Sequence, residues 1–310
     1  MVRRRVPVRP ELALAVVVAV LAIAVGWALR STHATAPAPA PSAAQGLPRD
    51  GDLTMAGRAG DTLVGLTVRP GRPGVNQVYV YLAPDPAPGS PVQVTVAGQA
   101  QQMTSCGDSC RVATVALTSG GSLAVDVAGA GAASFQLPSL PAPPAGALVD
   151  QATGVMRALG SYHVDEDFSG TRASYDFVVP DRLRMRVWYG NGEQDTVWIG
   201  STVYKRDFDG TWSTSTGTQP AVPYFGWTAF QPLVATTVAG AGEVDHTPVT
   251  VVHGFGGHGD DPEPVWFTLW IDQSSGRVLR SQMWAPGHFM DDRYNGFDQP
   301  AEIQAPDVPR

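Results

Sequence analysis

Charge is scarce in this chain. Asp, Glu, Lys and Arg make up 16% of its 310 residues, and Lys205 is the single lysine. Cysteine is scarcer still, with only Cys106 and Cys110. The motifs that announce common chemistries are missing too: there is no G-x-S-x-G, no Walker loop, no H-E-x-x-H and no C-x2-C pair. These absences point away from a hydrolase, a nucleotide enzyme or a zinc protein, and no cofactor is implied. The expectation is a protein that is not an enzyme.

Long apolar runs are also rare, and the one that stands out is residues 12–29, which carry no charge. About 18 helical residues reach close to 27 Å, near the thickness of a bilayer core. A signal peptide normally has an apolar region of about 7–15 residues, so this run reads as an uncleaved anchor. Arg3, Arg4, Arg5 and Arg9 precede it and only Arg30 follows. That bias places the N-terminus in the cytoplasm and the bulk of the chain outside, at the cell envelope. Residues 1–30 hold five Arg and one Glu, so the net charge of −7 leaves −11 for the remainder. An acidic ectodomain excludes nucleic acid as a partner, because that binding depends on neutralising phosphates.

What is abundant is Gly, Pro and short apolar alternation. Residues 1–33 are read as tail and anchor, and 34–48, "ATAPAPAPSAAQGLP", as an extended spacer. Residues 49–137 hold short strands such as "TLVGLTV", "QVYVYLAP" and "SLAVDVAG" between Gly/Pro turns, the pattern of a small β-sandwich. A Pro-rich joint follows at 138–146. From 147 to 310 the pattern changes to one amphipathic helix and then strands. Leu148, Ala152, Val155, Met156 and Leu159 recur at helical spacing. In "RLRMRV" the arginines face one side and Leu183, Met185 and Val187 the other. "YFGWTAFQPLVATTV" reads as irregular, then as a short helix. "VWFTLWID" places Val265, Phe267, Leu269 and Ile271 on one face and Trp266 and Trp270 on the other. A strand apolar on both faces needs a second cover, either the helix or an apolar ligand.

The pieces "YDFVVPDRLRM", "VWIGSTVYKRDFDGTW", "WFTLWIDQSSGRVLRSQMWA" and "GHFMDDRYNGFDQPAEIQAP" resemble the LolA/LppX-like lipoprotein-carrier superfamily over about residues 145–308. The resemblance implies a mainly β fold: a curved antiparallel half-barrel closed by helices around an apolar cavity for acyl chains. Upstream, "LTVRPGRPGVNQVYVYL" is similar to the β-sandwich fused to CopD-type copper-resistance proteins, though the His ligands of CopC-type copper sites are missing and there is one anchor rather than a multi-helix domain.

The candidate lining of the cavity is Trp198, Trp266, Trp270, Met283 and Met290. Met283, His288 and Met290 form the rival set, three soft ligands for copper(I). In "SCGDSC" the simpler reading outside the membrane is a disulfide between Cys106 and Cys110; the sharper one is a C-x3-C copper site. The loop "HGFGGHGDDPEP", with His253, His258, Asp260 and Asp261, reads as a polar hairpin tip. Asp165, Glu166 and Asp167 read as solvated. The function expected is binding or presenting an apolar ligand, lipid above all, at the envelope, with a possible envelope protein partner. The alternatives are copper handling and a protein-contact module whose cavity is filled by its own side chains.

Overall fold

The computed structural model describes residues 46–85, 90–218, 222–257, 263–299 and 302–308, which all belong to one compact unit, Ser42–Arg310. The expected anchor at 12–29 and most of the 34–48 spacer lie outside the described residues. Among the described residues no helix is long and apolar enough to cross a membrane.

Nine strands come first: β1 (Leu53–Ala59), β2 (Thr62–Arg69), β3 (Gly74–Ala83), β4 (Val92–Val96), β5 (Gln99–Gln102), β6 (Thr104–Gly107), β7 (Cys110–Leu117), β8 (Ser122–Val127) and β9 (Gly131–Gln136). They form two antiparallel sheets, ordered β1-β2-β3-β7-β6 and β5-β4-β8-β9. Alternate residues of each sheet meet in one apolar core that includes Leu66 and Val80 from the first and Val94 and Val125 from the second, all fully buried. Cys106 and Cys110 are joined as a disulfide across the β6–β7 turn.

Strand β2 departs from simple alternation. Every residue from Thr62 to Val68 is buried, so both of its faces are covered. Val64, Leu66 and Val68 point into the sandwich core. Leu63 points the other way and packs with Ala83, Phe255 and Trp266. The first sheet is therefore a middle layer, lying between the second sheet and a third.

That third sheet has eleven antiparallel strands and follows helix α1 (Gly146–Arg157). Its strands are β10 (Ser161–Phe168), β11 (Thr171–Val178), β12 (Arg182–Tyr189), β13 (Gly192–Ile199), β14 (Thr202–Arg206), β15 (Trp212–Thr216), β16 (Val234–Val244), β17 (Thr247–Gly256), β18 (Val265–Asp272), β19 (Val278–Ala285) and β20 (His288–Asn295). Their order is β15-β14-β13-β12-β11-β10-β20-β19-β18-β17-β16. The chain lays down one half outward from β10, crosses to the far edge, and returns until β20 pairs with β10. A sheet this wide does not stay flat.

Two elements differ from expectation. "YFGW" leads into a 3-10 turn, Gly226–Phe230, whose Trp227 is fully buried. The "LVATTV" segment, read as a short helix, is the start of β16. Its Val234, Thr236, Thr237 and Val238 are β-branched and favour the pleated state. The Pro-rich joint runs along β16: Ala145 N–H donates to Thr236 O at 3.0 Å and Val238 N–H to Pro143 O at 2.8 Å.

The contact between the first and third sheets turns on one glycine. A Cβ built on Gly65 would lie 2.2 Å from Trp266 Cζ2, a separation no real side chain tolerates. Gly65→Ala is expected to cost about 1–3 kcal/mol by overpacking, and Trp266→Ala about 3–5 kcal/mol by leaving a cavity. The double variant should be less destabilised than the sum of the two, because the added methyl enters the space the indole leaves. Denaturant unfolding of the three variants measures the coupling, and strict additivity would refute the contact.

Candidate functional site

The pairing register sorts the side chains of the third sheet onto two faces. Tyr162, Val164, Glu166 and Phe168 of β10 share a face with Ala173, Tyr175 and Phe177 of β11, since directly opposed residues point the same way. Continuing across, Leu183, Met185 and Val187, then Gln194, Thr196 and Trp198, lie on it. In the other direction it carries Met290, Asp292 and Tyr294, then Ser281 and Met283, then Phe267 and Leu269.

Helix α1 and the 3-10 turn cover this face. Phe230 meets Phe267 with ring centroids 5.4 Å apart, and Trp227 meets Tyr294 edge-on at 5.8 Å. Trp227 Nε1–H donates to Thr153 Oγ1 of the helix at 3.1 Å. Phe225, also buried, lies 5.1 Å from both Tyr162 and Trp227. The backbone of Tyr224 is held at both ends by one phenol: its N–H donates to Tyr162 Oη at 2.9 Å, and Tyr162 Oη–H donates to Tyr224 O at 3.0 Å. An aromatic segment of the chain thus occupies part of the covered face.

The five lining candidates divide between the two faces. Trp198, Met283 and Met290 are on the covered face, with Met283 and Met290 directly opposed. Trp266 and Trp270 are on the other, so the expectation that the Trp266/Trp270 face meets the helix or a ligand is corrected. Its cover at Trp266 is the first sheet, with Tyr81 at 5.5 Å; Phe255 of the neighbouring strand β17 packs alongside at 5.2 Å. Trp270 is half-buried beneath Arg280, whose Cζ lies 4.6 Å from the ring centroid. Of the copper candidates, Met283, His288 and Met290 do share a face, but the His288 ring abuts Phe168 at 4.2 Å, and burial holds its pKa down. Among the described residues no group of three or more His, Cys, Asp or Glu could hold a metal ion. His253 lies within β17 rather than in a loop tip. Its Nδ1 is 3.1 Å from Thr268 Oγ1, and burial pushes its pKa down to about 4. His258, Asp260 and Asp261 lie outside the described residues.

Two features of the covered face were not anticipated. The first is an acid pair. Asp165 and Asp167 are solvated as expected, but Glu166 is buried and sits opposite Asp292, which is buried as well. Tyr175 Oη–H donates to Glu166, Tyr294 Oη–H donates to Asp292 Oδ2 at 2.9 Å, and Ser281 Oγ–H reaches the same oxygen at 3.2 Å. Desolvation, with Asp292 as a nearby like charge, pushes Glu166 up to about 8. Desolvation also pushes Asp292 up, to about 6, although Tyr294 and Ser281 oppose it. Burial and the nearness of the two carboxyls both favour the protonated form. The signal was legible in "SYHVDEDF", because Glu166 falls on the face of Tyr162, Val164 and Phe168.

The second feature is a pair of orphan polar atoms. Gln194 Oε1 and Thr196 Oγ1 are buried without a hydrogen-bond partner, beside Trp198, Met185 and Val187, which are also buried. A buried polar atom left unpaired costs about 1–3 kcal/mol. The opposite face of the same strands is a solvent-side lattice of paired charges. Arg184 Nη2 is 2.6 Å from Asp195 Oδ2, and His163 Nδ1 is 2.7 Å from Asp176 Oδ1, a contact that raises the His163 pKa. A separate cleft of about 110 Å³, lined by Leu53, Arg72, Pro141 and Thr237, is smaller than the roughly 300 Å³ from which ligand pockets begin.

No family model matches the sequence, and no curated protein matches it. Solved structures do. The lipoprotein LppX of Mycobacterium tuberculosis is similar over 51% of this chain and 97% of its own length, at 16% identity and a TM-score of 0.43. LprF from Mycobacterium bovis is similar over 53% and 99%, at 15% identity and a TM-score of 0.41. The MucA/MucB complex structure of Pseudomonas aeruginosa is similar over 52% of this chain and 61% of the matched one, at 16% and 0.32. None of these three structures is a counterpart of the CopD-type sandwich. At these values the likeness is a description, and the site is read from its own residues.

The acid pair sets the pH response of the fold. Both folded pKa values lie above the unfolded ones, so the folded state binds the protons more tightly. Stability from this source is fully present below about pH 4 and is lost as pH rises through about 6 and then about 8. Glu166→Gln is expected to flatten that slope and to raise stability at pH 8 relative to the parent. Thermal unfolding between pH 4 and 9 measures it, and an unchanged slope would count against a buried pair.

Proposed function

We propose that this chain is an extracytoplasmic protein, tethered by residues 12–29, that binds or presents an amphiphile on the covered face of its eleven-stranded sheet. In this reading residues 147–310 form the binding half and residues 49–137 the platform behind it. The observation that carries it is the pairing of an apolar lining with two buried, unpartnered polar atoms, Gln194 Oε1 and Thr196 Oγ1. An acyl chain would lie along Leu183, Met185 and Trp198, and a headgroup or ester oxygen would accept from the Thr196 hydroxyl. Apolar contact of this kind is worth about 25 cal/mol per Å² removed from water.

A second reading has an observation of its own. Phe225 and Trp227 are buried against Tyr162, Tyr294 and Thr153, as in a face that fills itself and serves only to contact other envelope proteins. The copper reading retains the shared face of Met283, His288 and Met290.

One preparation separates the three. Organic extracts of the full chain, purified by its native export route, should contain lipid near one molecule per protein by mass spectrometry. Thr196→Val with Gln194→Leu should lower the retained lipid while raising stability by about 1 kcal/mol, since unpaired buried polar atoms are removed. Trp270→Glu, on the other face, should leave lipid retention intact. No lipid in the extract, and no uptake of fluorescent fatty acid or phospholipid by the extracted protein, would leave the self-filled reading. Stoichiometric copper(I) binding lost in Met290→Ala would establish the metal reading instead.

A further inference from the structure

At one end of the eleven-stranded sheet several strands finish or begin in aromatic side chains. Antiparallel order brings together the Phe168 end of β10, the Trp188–Tyr189 end of β12, the β14–β15 turn with Phe208, the first residue of β15, Trp212, and Phe289 near the start of β20. Trp188 is 38% exposed and Phe208 40%, which makes them two of the few large apolar side chains open to solvent among the described residues. Tyr189 and Phe208 meet edge-on at 5.5 Å, and Arg172 lies 5.9 Å over Trp188. The turns of the opposite end, Pro180-Asp181, Gly200-Ser201, Asp245-His246 and Ser274-Ser275, are polar; its aromatics are Phe297, lying under Arg277 with the guanidinium 5.0 Å from its ring, and Tyr224, 40% exposed and held by Tyr162.

The chain also arrives at the aromatic end. Leu47 packs on the cluster of Phe255 and Trp266, against which Trp284 also packs. Trp266 is the second residue of β18, and Trp284 the penultimate residue of β19. Forty-five residues precede Gly46, including the uncharged run 12–29. Trp, Tyr and Phe are the side chains that favour the bilayer interface, where an apolar ring and a polar edge can both be satisfied. The charges nearby, Asp167, Glu193, Asp207 and Asp209 against Arg172, Lys205 and Arg206, are acidic by one, which favours a neutral lipid surface over an anionic one.

We propose that this aromatic end docks on a zwitterionic bilayer surface, holding the sheet end-on to the membrane. The proposal rests on the exposed turns and on the point of chain arrival, and it stands whether or not the covered face carries lipid. The native cysteines are paired and no thiol is free, so single labels can be placed in the full chain. Asn191→Cys marks the aromatic end and Ser201→Cys the polar end. With the chain reconstituted in phosphatidylcholine vesicles containing nitroxide-labelled phosphatidylcholine, the fluorophore at 191 should be quenched several-fold more than the one at 201. Trp188→Asp with Phe208→Asp should abolish the difference while circular dichroism stays unchanged. Equal quenching at both ends, no quenching at either, or a difference that survives the double substitution would overturn the proposal. The same double variant should retain extracted lipid at the parent's level if the carrier reading holds, so the two ideas fail separately.

Discussion

The indole of Trp266 lies over a strand that has no side chain at Gly65, and the layering of the molecule depends on that close approach. Without it, Trp266 on the back of β18 would face water. With it, the first sheet becomes a middle layer and β2 is buried on both faces. The burden falls on one backbone position. Any Cβ at residue 65 would push two sheets apart, whereas a smaller residue at 266 would only leave a hole.

Much of the architecture could be read from the sequence because strands buried on one face alternate in plain view. "RLRMRV" gave its inward residues directly, and the amphipathic helix was found within two residues of its observed end. The stretch "VWFTLWID" was rightly seen to need a cover on each face. The identity of the second cover was missed because size and polarity say that a tryptophan is buried, not what buries it. A hint lay in "TLVGLTV", where a glycine inside a strand marks a close approach of another group. Glu166 was misjudged by its neighbours: three acids in a row look solvated, but the period of two separates the middle one from its flanks. The aromatic segment 224–230 has no period of either kind, and Phe225 and Trp227 owe their burial largely to contacts distant in sequence.

The covered face combines features that pull in different directions. Its lining is apolar, yet it encloses two carboxyls, several phenols and two unpaired polar atoms. The carboxyls are tolerated because three hydroxyl donors serve the pair. The orphan atoms have no such partners among the described residues. A chain that only needed a stable core would gain by replacing them with apolar residues of the same shape. Their presence beside Trp198 is what the proposed exchange of contacts with a ligand rests on.

The two edges of the eleven-stranded sheet are not equivalent. At β16 the Pro-rich joint lies against residues 236–238, and register shifts interrupt the strand on either side of Thr237 and Val238. Prolines and bulges are both poor templates for a further strand. At β15 the sequence is "WSTST", with exposed side chains from Ser213 onward and neither Lys nor Pro to discourage pairing. Edge-to-edge association through this sheet therefore has one competent side. Two copies joined through β15 would each present the blocked β16 edge outward, so growth through this sheet would stop at a closed, two-fold pair.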